Sequence, residues 1–271
     1  MAQLKPYRGN YYLWDYVPST PAAVIFAILF TLATGYITFR TVKTRTWFSI
    51  PFIIGVQLLG YIARAIAHDK TDQLPPYIMQ SVLILVAPAL FAASIYMTLG
   101  RLMRSIHGER HSLIPVNWLT KAFVLGDVLS FLIQSSGGGL MAAKDFNPKT
   151  AQNIILGGLF VQIIMFGLFV VTAVVFHVRM RRWPSGASLG GKGWVRVMGM
   201  LYVTSGLIMV RSVFRVVEYI MGKEGYLLRN EWTLYVFDAV LMFATMGVYG
   251  VWYPEMGYRA EGESEVRLGG K

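Results

Sequence analysis

Seven stretches of this chain are each long and apolar enough to cross a bilayer, and between them they leave little else to fold. They cover residues 21–39, 49–67, 77–99, 119–141, 154–178, 195–221 and 232–253. A spanning helix needs about 20 mostly apolar residues to cross a hydrocarbon core of roughly 30 Å. A soluble fold of 271 residues with 55% hydrophobic and 14% charged residues has too little interior to hide that surface. The sequence therefore predicts an all-α integral membrane protein, a seven-transmembrane-helix bundle occupying residues 1–254 as one domain. The longest connectors, near 101–118 and 179–194, are too short for a further domain. The tail 255–271 mixes charges with Gly and is expected to be disordered.

The net charge of +11 is spread along the chain rather than gathered on one surface, which argues against a nucleic-acid partner. Connectors 40–46, 101–121 and 179–196, with the tail, carry most of the 25 Lys and Arg residues, including Arg40, Lys43, Arg101, Arg104, Arg179, Arg181 and Arg182. The opposite side has Lys5, Arg8, Lys70, Lys144, Lys149, Lys223 and Arg229. By the positive-inside rule the N-terminus is expected outside and the C-terminus in the cytosol. The polar, aromatic N-terminus lacks the pattern of a cleaved signal, so the first span is expected to act as its own. With no cysteine there is neither a disulfide nor a thiolate metal site.

Ionisable groups inside a span cost at least about 2.5–3.5 kcal/mol each at the bilayer centre, so their placement is informative. In the second span Gln57, Tyr61 and Arg64 recur at i, i+4, i+7 and share a face. The sixth span repeats the spacing with Arg211, Arg215 and Glu218, and the seventh with Glu231, Tyr235 and Asp238. The fourth adds Asp127, Ser130 and Gln134, and the fifth Gln162. Arg64, Arg211 and Arg215 balance Asp127, Glu218 and Asp238, with Glu231 at the outer rim. Two readings fit: interhelical ion pairs that fix register, or a polar cavity in the outer half that receives an amphipathic head group.

Other motifs carry less. His107 and His111 lie in a loop with Gly108 between them, and His177 reads as an interfacial side chain, so no metal site is expected. Gly137, Gly138 and Gly139 fit a helix ending at the surface. The stretch 186–193 resembles a phosphate-binding loop but has Gly193 where Ser or Thr should hold magnesium. Pro51 and Pro88 are expected to kink their helices. The seventh span has no lysine for a retinal Schiff base, and histidine pairs for haem are missing. No nucleophile, base and orienter converge, so neither an enzyme nor a cofactor is expected.

Read in order, several segments resemble the fungal RTA-like proteins, a lipid-translocating exporter family named for aminocholesterol resistance. They are Tyr16-Val17-Pro18-Ser19, Gly60 with Tyr61, Ala63 and Arg64, and Ala87-Pro88-Ala89 with Ala92 and Tyr96. Asp127, Gln134 and the triple glycine follow, then Gly157, Gly158, Leu159 and Gln162. The most specific piece is Arg211, Arg215 and Glu218 followed by Gly222, Gly225, Glu231, Tyr235 and Asp238. The chain departs from the family at Gln57, often Glu there, and at Tyr253-Pro254, commonly His-Pro. The resemblance implies a multi-pass plasma-membrane protein that moves, releases or senses amphipathic molecules. Long-chain bases, sterol-like toxins and porphyrins are the implied partners, besides membrane lipids. The leading expectation is an ATP-independent lipid translocator that binds head groups through the polar residues named above. The alternative is a lipid or sterol receptor signalling through the basic loops.

Overall fold

Each apolar run becomes a helix in the computed structural model, which describes residues 19–68, 74–141, 147–184, 193–222, 225, 227 and 230–254. The seven spans are α1 Thr20–Thr44, α2 Trp47–Ala67, α3 Ile78–Ser105, α4 Val116–Leu140, α5 Lys149–Arg182, α6 Gly193–Met221 and α7 Glu231–Val251. No strand occurs among the described residues. The tail 255–271 and most of the stretch 186–193 lie outside them. Short connectors make successive helices antiparallel. The start of α1, the end of α2 and the start of α7 therefore share one end of the bundle, called here the amino-terminal end; the other is the carboxy-terminal end.

Local chemistry explains several boundaries. Asn147 caps α5 by accepting the Lys149 N–H at 3.0 Å, with Pro148 in the first turn where a missing N–H costs nothing. α3 and α5 outrun their apolar stretches to Ser105 and Arg182, because basic side chains favour a helix C-terminus and reach back toward water. α2 does not kink at Pro51, which lies in the first turn of a short helix, Ile50–Ile53. The break comes at Gly55, whose φ of +70° is a left-handed conformation that glycine adopts without steric penalty. α3 runs unbroken through Pro88. The triple glycine lies within the last turns of the α4 helix, Val116–Met141.

The bundle is apolar outside as well as in. Ile25, Ile28, Leu32 and Phe39 on α1, and Ile164 and Leu168 on α5, are exposed where acyl chains would cover them. Yet Arg64 and Arg211 are among the largest fully buried side chains. Aromatic rings fill the space between, with Phe52 stacked on Phe91 at 4.5 Å and on Tyr249 at 4.1 Å. At the carboxy-terminal end the Tyr253 hydroxyl meets Thr41 at 2.9 Å, Ser49 at 3.1 Å and Thr46, tying α1, the start of α2 and the end of α7 together.

Candidate functional site

The central charge pair begins with a proline. Pro88 has no N–H to give the carbonyl four residues back, so the Ile84 oxygen loses its helical partner. Arg211 of α6 takes it, donating from Nη2 at 3.2 Å. Its Nε donates to Asp238 Oδ1 of α7, and both side chains are buried. Asp238 lies on a π-helical turn, Tyr235–Val240, set between two α-helical pieces of α7. Such turns change which residues share a helix face. One guanidinium thus ties α3, α6 and α7.

A second pair closes the amino-terminal end. Arg64 of α2 donates from Nη2 to Glu231 at 2.7 Å and from Nε to the Tyr235 hydroxyl at 3.0 Å. The same carboxylate accepts the Ser19 N–H at 2.8 and 3.0 Å, and so pins the start of α1 as well. Arg64 is fully buried whereas the Glu231 side chain keeps 18% exposure. The pair therefore presents its carboxylate, not its cation, to the surroundings. Phe26 stacks on Tyr235 at 5.3 Å and Phe30 on Tyr61 at 5.4 Å, walling the pair off from the apolar interior.

Arg215 finds its partner on its own helix. It donates to Glu218 at 2.6 Å across an i, i+3 step and lies over the Tyr219 ring at 5.3 Å. Between these pairs sits unused bonding capacity. The fully buried Tyr61 hydroxyl lies among Asp238, Arg64, Tyr235 and Arg211, yet it has no hydrogen-bond partner among the described residues. The same is true of Asp238 Oδ2 and of both amide atoms of Gln57, one turn along α2. Leaving a buried polar group unsatisfied costs about 1–3 kcal/mol. A polar ligand or water entering this seam would recover that cost.

The other sequence-selected residues make their bonds elsewhere. Asp127 accepts from the Tyr96 hydroxyl at 2.9 Å, and Gln134 donates to Gln162 at 3.1 Å across the α4–α5 interface. Ser19, the Ile84 carbonyl and Tyr96 were not singled out as partners from sequence. Ser19 and Tyr96 stand in the segments that carry the family resemblance, and Ile84 stands four residues before a mid-span proline. His177 bonds the Tyr202 hydroxyl at 2.8 Å, His111 stacks with Trp183, and no metal-binding group occurs among the described residues.

Two cavities among the described residues are lined by none of the paired charges. The larger, about 520 Å³, is an apolar groove between α1 and α2 open to lipid, running from Val24 to Thr31 and from Leu58 to Ile66. Its lining on α2 flanks Arg64, and its α1 wall starts one turn beyond Ser19. Its amino-terminal end thus lies at about the depth of Glu231, although neither Arg64 nor Glu231 lines it. The second, about 190 Å³, lies between α3 and α4 at the carboxy-terminal end, bounded by Met97, Gly100, Arg101, Arg104, Val116 and Thr120.

Comparison with known proteins adds a family. A family model described as RTA1 like protein matches residues 52–261. Protoporphyrin uptake protein 1 of Saccharomyces cerevisiae is 36% identical over 280 residues, 90% of this chain and 92% of that protein. Protein RTA1 of the same organism is 39% identical over 207 residues, 76% of this chain and 65% of that protein. A sphingoid long-chain base transporter, RSB1, also from Saccharomyces cerevisiae, is 26% identical over 281 residues, 89% of this chain and 72% of that protein. No solved structure matches the chain.

Proposed function

Because the chain belongs to the RTA1-like protein family, we propose that it is an ATP-independent translocator of amphipathic molecules, with the head group received by the charges between α2, α6 and α7. The observation that carries the reading is the Arg64–Glu231 pair, whose carboxylate stays partly exposed at the amino-terminal end of the bundle, at the depth where the α1–α2 groove ends. An alkyl chain in that groove would lie along Ile28 and Ile62 and bring its head group to Glu231. A protonated amine there can take the place of Arg64, and a phosphate or carboxylate can take the place of Glu231. Arg211–Asp238, deeper in, and Arg215–Glu218, near the same end of the bundle, repeat the arrangement, while Tyr61 and Gln57 offer unused hydrogen bonds. Moving a head group between such stations avoids dragging it bare through hydrocarbon, the step that limits lipid flipping.

The names of the relatives support an amphipathic cargo, since one is named for a sphingoid long-chain base and another for protoporphyrin. The concentration of Arg and Lys at the carboxy-terminal end supports an outward-facing amino-terminal end in the plasma membrane. The test is leaflet exchange of a fluorescent sphingoid base in liposomes holding the purified protein. Exchange faster than in protein-free liposomes is expected. Binding without exchange would replace the translocator with a lipid receptor.

A further inference from the structure

We propose that Asp127 is a proton-binding site served by the α3–α4 vestibule, and that its proton is exchanged during the transport cycle. The coupling rests on the translocator reading; the proton site rests on the surroundings of Asp127 alone.

Four carboxylates lie within the described spans, and three of them face an arginine: Glu231 with Arg64, Asp238 with Arg211, Glu218 with Arg215. Asp127 has none. It is 4% exposed, its Oδ2 accepts a single hydrogen bond from Tyr96, and its Oδ1 has no partner among the described residues. From α3 it is faced by Tyr96, whose ring is surrounded by Phe123 of α4 and by Phe166 and Phe169 of α5, none of them titratable. Met165 of α5 packs against the neighbouring Gly126. On its own helix the nearest charged residue is Lys121, which is exposed. Arg211 and Arg215 of α6 are committed to Asp238 and Glu218.

An ionised carboxylate with one hydrogen bond in such a place costs several kcal/mol. Taking up one proton on Oδ1 to become the neutral acid removes that charge and leaves Oδ2 to accept from Tyr96. The geometry also gives the proton a route. Val116 and Thr120 line the vestibule and recur with Asp127 at steps of four and seven, so all three share a face of α4. Thr120 is about 10 Å from Asp127 along the helix. Met97, on the opposite wall, directly follows Tyr96. The buried ring of Phe123, 5.4 Å from Tyr96, stands on the same stretch of α4, one turn from Thr120 and one from Asp127. Displacing it joins Asp127 to the water of the carboxy-terminal end. There Arg101 and Arg104 at the mouth favour the ionised form, and hence release of the proton.

Infrared difference spectra of the full-length protein in liposomes, recorded as pH is stepped, read this site directly. A protonated-carboxyl band is expected at neutral pH and should be absent from Asp127→Asn. In Tyr96→Phe, which keeps the carboxyl and the ring, the band should move to higher wavenumber. In Phe123→Ala its exchange with deuterium should be several-fold faster. In the same liposomes wild-type exchange of the fluorescent sphingoid base should respond to an imposed pH gradient, and Asp127→Asn should lose the response. Identical carboxyl bands in wild type and Asp127→Asn, with no shift in Tyr96→Phe, would mean an ionised group and would overturn the site. A band together with exchange indifferent to the gradient overturns the coupling but leaves the translocator intact. No exchange at all sinks the translocator and the coupling together, while the infrared band still decides the proton site.

Discussion

Between α4 and α5 the backbones meet at glycine; between α2, α6 and α7 they are joined through arginine. A Cβ added at Gly158 would lie 3.0 Å from the Ser130 carbonyl and 2.7 Å from the Gln134 side chain, and one at Gly137 would lie 3.0 Å from the Ala151 carbonyl. Small residues of this kind let membrane helices approach closely enough for dispersion forces to hold them. That contact has one arrangement. The ionic seam instead joins its helices through Arg64–Glu231 and Arg211–Asp238, with unbonded polar atoms between them. Ion pairs can exchange partners with an entering charge, which glycine contacts have no means of doing. The comparison teaches where the bundle should move: α4 and α5 as one body, and the α2–α6–α7 seam as the part that opens.

Thermal unfolding in detergent can break that comparison. Arg211→Ala strands a buried carboxylate and an unbonded Ile84 carbonyl, and a loss of about 3–5 kcal/mol is expected. Removing Asp238 as well should restore part of it; no recovery would mean that the pair is not what holds the seam. Gly158→Val overpacks a backbone contact and should cost about 1–3 kcal/mol, while Gly157→Val, with open space around it, should cost little. Gln134→Leu removes one interhelical hydrogen bond and should cost about 0.6 kcal/mol, the average for such bonds in a membrane bundle. If Gly158→Val left thermal unfolding unchanged, the rigid half of the comparison would go.

The seven spans were legible because each apolar run is uninterrupted and a bilayer demands a fixed length. Their partners were less so. Spacing put Arg211, Arg215 and Glu218 on one face, but only coordinates show Arg215 bonding within its helix while Arg211 crosses to α7. Sequence gathered Asp127, Gln134 and Gln162 with the arginines, since a linear pattern gives depth and face but not which helices are neighbours. The π-helical turn that carries Asp238 left no sequence signal. Pro51 predicts a kink in α2, but the first turn tolerates proline, and the break falls at Gly55, which takes the unusual φ.

The most direct test of the account is the rate at which Glu231→Gln protein exchanges a fluorescent sphingoid base between leaflets, compared with wild type at equal amounts of folded protein. Losing one charge-assisted contact with the head group should slow exchange about tenfold or more. An unchanged rate would contradict the claim that the seam's charges receive the cargo.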